Sequence, residues 1–335
     1  MADLNNNGPR RPNLLTSSVS VNQNWITTTA AHSIFSVEVA VLYEEEDNIE
    51  TLTNYVELTN ALLPPNKRGK TYKKTDVETH KRKDLPKFGQ RQQTGFLVEK
   101  RGNSMYILTT AHAVDTVYKK GVHQVSAEDL NQVFTFSVIC THQEAYLKQA
   151  EPDKSVSELL RSYSSAGVVA VDTQRDLLLL ETNENNLRLH DVDDGGFVAC
   201  SSQHPVIRMS NSPPVQDEPV LMQGWPPLRV NSSVWGNANC VYRTYDVLTS
   251  INKKGYTMLL MEVPQFYCAA GFSGSPILNG NCDFLAVYHG VDDESQFGYC
   301  ISLDDVRHFL TTALDNVFGE CLWQEAREKI TRDAP

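Results

Sequence analysis

The feature that most limits what this chain can become is its rhythm of short apolar runs. TGFLVEK, SMYILTTAHAV, FTFSVIC, GVVAVDT, DLLLLE, PVLMQGW, TMLLMEV, FLAVYHG and FGYCISL follow one another between Thr94 and Leu303. Each is bounded by turn residues and rich in β-branched or aromatic side chains, which is the signature of strands. Long helical patterns do not alternate with them, so parallel β-α-β units are excluded and antiparallel β-barrels, whose closure removes exposed edges, are favoured. SIFSVEVAVLY, with Ile34, Val37, Val39 and Val41, adds a strand upstream. The polar stretch NNLRLHDVDDGG, near Asn185 to Phe197, divides the β-rich body into two lobes.

The regions outside the strands read differently. Residues 1–24 are rich in Asn, Pro and Ser, and the expectation is a disordered tail. Residues 25–190 then form the first lobe, 191–302 the second, and 303–335 a helical segment. In that segment Ser302 is placed to cap, Asp305 follows three residues later, and Val306, Phe309, Leu310, Leu314, Val317 and Phe318 repeat at helical spacing before Gly319. ECLWQEAREKI can form a second short helix, and QEAYLKQAEPDKSVSELLRSYSSAG can hold one more; only the C-terminus is plainly helical. Within the first lobe, 66–91 is a surface insertion opened by Pro64-Pro65, with ten basic side chains against three acidic ones.

The formal net charge of −11 argues against nucleic-acid binding by the body of the protein, and leaves the basic insertion as the place where nucleic acid or an acidic partner could dock. No signal-like segment and no run of eighteen apolar residues occurs, so the expectation is an intracellular protein, cytoplasmic or nuclear, without a membrane span. Seven scattered cysteines lack any C-x-x-C pair of the kind that holds zinc, and are read as reduced, mostly buried thiols; no metal and no cofactor are expected.

Three short strings carry chemistry. In GFSGSP, Ser273 lies between glycines that allow a tight turn, and such a turn can aim the N–H groups of Gly271 and Ser273 at one point, as an oxyanion requires. In YILTTAHAV, His112 emerges just beyond an apolar strand with small residues before it. In RDLLLL, Asp176 leads into a core strand, where a buried carboxylate needs a donor such as an imidazole N–H; Asp172 is its local rival. Together they are the parts of nucleophilic serine chemistry: hydroxyl, base and orienting acid.

The order His112, Asp176, Ser273 with these flanks resembles the chymotrypsin clan of serine peptidases, in particular its intracellular, disulfide-free HtrA/Deg-like branch. TGFLVE, VVAVDTQRDLLLLE, DEPVLMQGWPPL and AAGFSGSPILNG each resemble a family segment, in the family's order, from about Ser33 to Ser302. The resemblance implies two antiparallel six-stranded β-barrels with a C-terminal helix and a cleft between the barrels. It assigns His112 as base, Asp176 as its orienting partner, Ser273 as nucleophile, and Gly271 with Ser273 as the oxyanion hole, acting on protein or peptide substrates.

Departures bear on regulation and specificity. Phe272 stands where secreted relatives carry the Asp that receives a freed N-terminus, and Ala113 replaces a disulfide cysteine, so maturation by that route is not expected. Too few residues follow Ser302 for a peptide-binding PDZ module. Substrate preference falls to Tyr267, Tyr288 and His289: Tyr267 replaces a trypsin-like Asp, Tyr288 sits in the pocket-facing register, and His289 falls on the opposite face of an alternating strand, although in viral and glutamyl relatives a histidine there binds substrate. Two alternatives stay open: a catalytically silent relative that serves as a protein-binding module, and a peptidase that also binds nucleic acid through 66–91. Self-association is left open as well.

Overall fold

The computed structural model describes residues 19–42, 46–61, 91–115, 117–118, 125–155, 161–190, 197–226, 231–244, 256–266, 268–291 and 297–319. The basic insertion, apart from Arg91, and the segment ECLWQEAREKI lie outside these residues.

The first lobe is a closed barrel of six antiparallel strands: β1 (Ile34–Val41), β2 (Arg91–Arg101), β3 (Ser104–Thr110), β4 (Phe134–Cys140), β5 (Ser164–Asp172) and β6 (Leu177–Asn183). Their hydrogen-bonded order is β1-β2-β3-β6-β5-β4. Leu177, Leu178, Leu179 and Leu180 are all fully buried, so β6 is covered on both faces, which explains why this strand reads as a continuous apolar run rather than an alternating one.

A connector containing the hairpin of β7 (Arg188–His190) and β8 (Phe197–Ala199) leads to the second lobe. That lobe holds β9 (Pro219–Gly224), β10 (Ser232–Asn237), β11 (Cys240–Thr244), β12 (Leu259–Val263), β13 (Pro276–Leu278), β14 (Phe284–Val291) and β15 (Gly298–Ser302). Hydrogen bonds run in the order β10-β9-β13-β14-β15-β12-β11, a seven-stranded sheet where a six-stranded barrel was expected. The difference is one of counting. Its two edges, β10 and β11, are joined by Ala238 and Asn239 alone, and Ala238 exchanges bonds with the β9 side (Ala238 N–H to Glu218 O, 3.0 Å) while Asn239 N–H donates to Glu262 O in β12 (2.8 Å). Taken as one bent strand, β10–β11 closes six strands on themselves.

Helices accompany the strands: α1 (Val19–Ala31), α2 (Glu46–Ala61), α3 (Ala127–Val133), α4 (Thr141–Ala150) and α5 (Leu303–Phe318). Of these, α5 was expected, with Ser302 Oγ accepting from Asp305 N–H at 3.3 Å, and α4 falls in the segment allotted one short helix. Helix α1 corrects the view of 1–24 as wholly disordered, since residues 19–24 are helical. Its polar, β-branched sequence is a poor helix former on its own, and tertiary contacts hold it: Ile26 and Ala30 are buried, and Gln223 Nε2 donates to Thr27 O at 2.8 Å. Helices α2 and α3 were likewise not anticipated. Helix α5 ends the second lobe yet packs on the first, where Phe318 meets Tyr106 edge-on at 5.3 Å and Arg101 lies 4.7 Å over the Phe318 ring. No helix among the described residues is long and apolar enough to cross a membrane.

Candidate active site

His112 sits in a single 3-10 turn, Ala111–Val114, directly after β3. Arg91 secures the turn from β2 by donating to His112 O at 2.7 Å and to Asp115 Oδ1 at 2.8 Å. Asp176 belongs to the tight turn between β5 and β6, and Asp172, the rival acid, builds that turn rather than competing for the histidine. Its Oδ1 accepts the N–H groups of Gln174 and Arg175, both at 2.9 Å, and its Oδ2 accepts from the Arg175 guanidinium at 2.8 Å. The turn places Asp176 at φ 58°, a left-handed conformation that aspartate tolerates better than most residues. Ala111 N–H donates to Asp176 O at 3.1 Å, so the two turns are tied by backbone as well as by side chains.

The result is a bond of 2.7 Å between His112 Nδ1 and Asp176 Oδ2, with the carboxylate fully buried and the imidazole a quarter exposed. These are the two residues that the sequence analysis pairs. It did not foresee that His289 Nδ1 would reach the same oxygen, at 2.5 Å. Strict alternation puts His289 on the far face of β14, but the pairing of β14 with β15 shifts register between Tyr288 and Gly290. A bulge of this kind inserts one residue and re-aims a side chain, and here it turns His289 toward Asp176, edge-on to His112 at 5.4 Å between ring centres. Burial pushes the Asp176 carboxyl up, but the charges of His112 and His289 and their hydrogen bonds outweigh it and bring the group down to about 2. These three side chains converge closely enough to hold a cation, yet each imidazole spends its Nδ1 on the carboxylate, which describes an acid–base pair with a second brace.

Ser273 lies on the turn before β13, flanked by Gly271 at φ 99° and Gly274 at φ 85°. A Cβ on Gly274 would stand 2.1 Å from Thr94 O, so only glycine fits there. Ser275 N–H donates to Phe272 O at 2.9 Å to close the turn, and Gly274 N–H donates to Tyr288 O at 2.8 Å. Among the described residues no backbone carbonyl accepts from Gly271 N–H or Ser273 N–H. The Ser273 hydroxyl donates to His289 O at 3.3 Å; a hydrogen bond between it and His112 is not formed among the described residues.

The serine turn is fastened to the first barrel by Thr94, which the sequence had offered only as the start of a strand. Thr94 N–H donates to Ser273 O at 2.9 Å, Thr94 Oγ1 donates to Gly271 O at 2.8 Å, and the same oxygen accepts Trp225 N–H at 2.8 Å. Thr109 Oγ1 in turn donates to Thr94 O at 2.6 Å, and Gln93 Nε2 donates to Thr109 Oγ1 at 2.8 Å. Thr94 and Thr109 are fully buried and Gln93 nearly so, and β2 and β3 thereby position the second lobe's turn against the histidine at the end of β3.

The three specificity positions fare differently. Tyr267 lies outside the described residues. Tyr288 is 2% exposed, packed in the second core, with its hydroxyl donating to Phe266 O at 3.0 Å, so it does not form an open pocket wall. His289 is committed to Asp176. Phe272, at the position of the zymogen acid, is buried in the same second core.

No curated protein matches the chain. Among solved structures, the inactive form of the Rv3671c protease aligns with a TM-score of 0.46 and 13% identity over 88% of this chain and 96% of that one. A mutant, inactive form of Rv3671c from M. tuberculosis H37Rv gives 0.47 and 12% over 88% and 93%, and Deg5 gives 0.48 and 12% over 87% and 93%. Residues 93–287, more than half of the sequence, match the family described as trypsin-like peptidase domain. This span runs from the Gln93–Thr94 clasp through His112, Asp176 and Ser273 to β14, and the chain belongs to the trypsin-like peptidase domain family.

Proposed function

We propose that this peptidase is a serine endopeptidase in which Ser273 is the nucleophile, His112 the general base, Asp176 the residue that orients His112, and Gly271 N–H with Ser273 N–H the oxyanion hole. The observation that carries the reading is the 2.7 Å bond from His112 Nδ1 to the fully buried Asp176, which fixes the tautomer and leaves Nε2 free to accept a proton.

Ser273 Oγ turns from His289 O toward His112 Nε2 and attacks the scissile carbonyl carbon as its proton passes to the imidazole. Negative charge gathers on the carbonyl oxygen, where two backbone N–H donors are each worth about 3 to 4 kcal/mol. The imidazolium, stabilised by Asp176, returns the proton to the leaving amine. Water, activated by the same imidazole, then hydrolyses the acyl-serine. His289 supports Asp176 from the other side and keeps the carboxylate ionised. An intracellular setting goes with this reading, supported by the free cysteines of the described residues; secretion of the full chain from expressing cells would count against it.

A fluorophosphonate probe tests the assignment. Labelling of the folded chain should map to Ser273 and vanish on His112→Ala. The second reading, a silent binding module, is favoured by the Ser273 hydroxyl bond to His289 O, and absence of labelling in folded protein would decide for it.

A further inference from the structure

Four side chains with soft or imidazole donors meet on the side of the first barrel where the connector leaves it. Cys140 ends β4 and His142 lies in the first turn of α4, while Cys200 and His204 stand on the connector just past β8. Cys200 Sγ lies 3.9 Å from Cys140 Sγ, 3.7 Å from His142 Nδ1 and 3.6 Å from His204 Nε2. All four donor atoms fall within 4.8 Å of one another. Tetrahedral coordination at zinc, with bonds of about 2.3 Å to sulfur and about 2.0 Å to nitrogen, sets the sulfur–sulfur edge at about 3.8 Å and the sulfur–nitrogen edges at about 3.5 Å.

The outer contacts orient the ring nitrogens inward. His204 Nδ1 lies 2.8 Å from His32 O, a partner that can only accept, so the proton is on Nδ1 and the Nε2 lone pair faces Cys200. His142 Nε2 lies 2.6 Å from His32 Nδ1, with the two rings stacked at 4.9 Å, which turns His142 Nδ1 to the same point. One residue at the end of α1 thus braces both imidazoles, the arrangement that sets ligand tautomers at metal sites. With two ring lone pairs and two sulfurs aimed together, the two thiol protons can bridge at most two of the contacts. A divalent cation takes all four, and two thiolates cancel its charge, which suits a cluster whose Cys140, Cys200 and His204 are buried.

We propose that Cys140, His142, Cys200 and His204 form a structural zinc site that staples the connector between the lobes to the first barrel. Four protein donors leave no open coordination position, so the site holds structure and does no chemistry. Loading converts two thiols to thiolates and releases two protons to solvent. The site is independent of the assignment of Ser273, since none of its ligands belongs to the cleft.

The test uses the full chain expressed in zinc-replete medium. Elemental analysis of the folded protein should give about one zinc per chain, and removal by a chelator should lower the Tm by about 10 °C. Exchange for cobalt should give the visible ligand-field bands of a tetrahedral ion and a near-ultraviolet thiolate charge-transfer band, a readout that needs no variant. His204→Cys should keep the metal with a stronger charge-transfer band, and Cys200→Ala should lose it. Folded wild-type protein with less than about a tenth of an equivalent of zinc would overturn the proposal, as would a cobalt spectrum without the thiolate band or a Cys140–Cys200 disulfide in protein from zinc-replete cells.

Discussion

Among the described residues, two clusters of histidines with acidic or thiol partners have opposite designs. In the cleft, His112 and His289 both direct Nδ1 at one carboxylate oxygen, so each ring keeps its other nitrogen out of that contact. At the connector, His142 and His204 direct one nitrogen each at Cys200 and are held from behind by His32. The first arrangement leaves a basic nitrogen that can move a proton; the second uses every inward lone pair. On the proposed roles, what separates the two clusters is where the imidazoles aim, at a carboxylate with His112 Nε2 turned away from it or inward at sulfur, rather than the residue types or their burial.

Substitutions should therefore divide cleanly, rate for the cleft and stability for the connector. Ser273→Ala is expected to reduce peptidase activity by about 10⁴-fold or more while leaving the Tm in place. Retained turnover in this variant, measured on a peptide library, would break the assignment of the cleft as the reacting cluster. Asp176→Asn should cost about 10⁴-fold in kcat, because the imidazole loses the partner that fixes its tautomer.

The same variant carries a pH signature. The folded carboxyl titrates at about 2, below the ordinary aspartate value near ~3.9, so its ionised form contributes stability that is fully present above about pH 4 and lost as pH falls through the folded value. Acid unfolding followed by circular dichroism should show a shallower loss between about pH 4 and pH 2 in Asp176→Asn than in the wild type.

At the connector, Cys200→Ala should lower stability by about 3 kcal/mol or more in denaturant titrations, with kcat per folded molecule little changed. A fall in kcat instead would mean that the clusters are coupled. Thr94→Val, which removes the hydroxyl between Gly271 and Trp225, should lower kcat by about 10²-fold with KM less affected, because the serine turn loses its register against His112. Lys154→Ala breaks an exposed pair with Glu151 that belongs to neither cluster, and a stability change beyond about 0.5 kcal/mol would mean that the division is drawn too sharply.

Much of the fold and of the cleft was readable because the information is local. Apolar runs such as LLLL and VVAV are contiguous, and each residue of the proposed triad sits in a short string with a mechanical reason for its flanks. What escaped is information spread along the chain or created by packing. The bulge at His289 adds a single residue to a regular strand, and alternation counts straight through it. The connector donors form half-patterns, Cys-x-His and Cys-x-x-x-His, with no C-x-x-C pair, and the lone cysteines read as core thiols until β4 and the connector are brought together. Thr94 looks like any strand threonine; only the approach of the second lobe gives its hydroxyl two backbone partners. Helix α1 has little helical preference of its own and owes its form to the barrel beneath it.

The threefold grip of Thr94 also bears on how a substrate could enter. With the Ser273 turn bonded through backbone and side chain to the barrel that carries His112, the two halves are pinned at the point where a jaw would have to open. If the proposed endopeptidase reading holds, a polypeptide would have to reach Ser273 as an already extended strand, and a compact target would first have to yield a loop or a loose end to be cut.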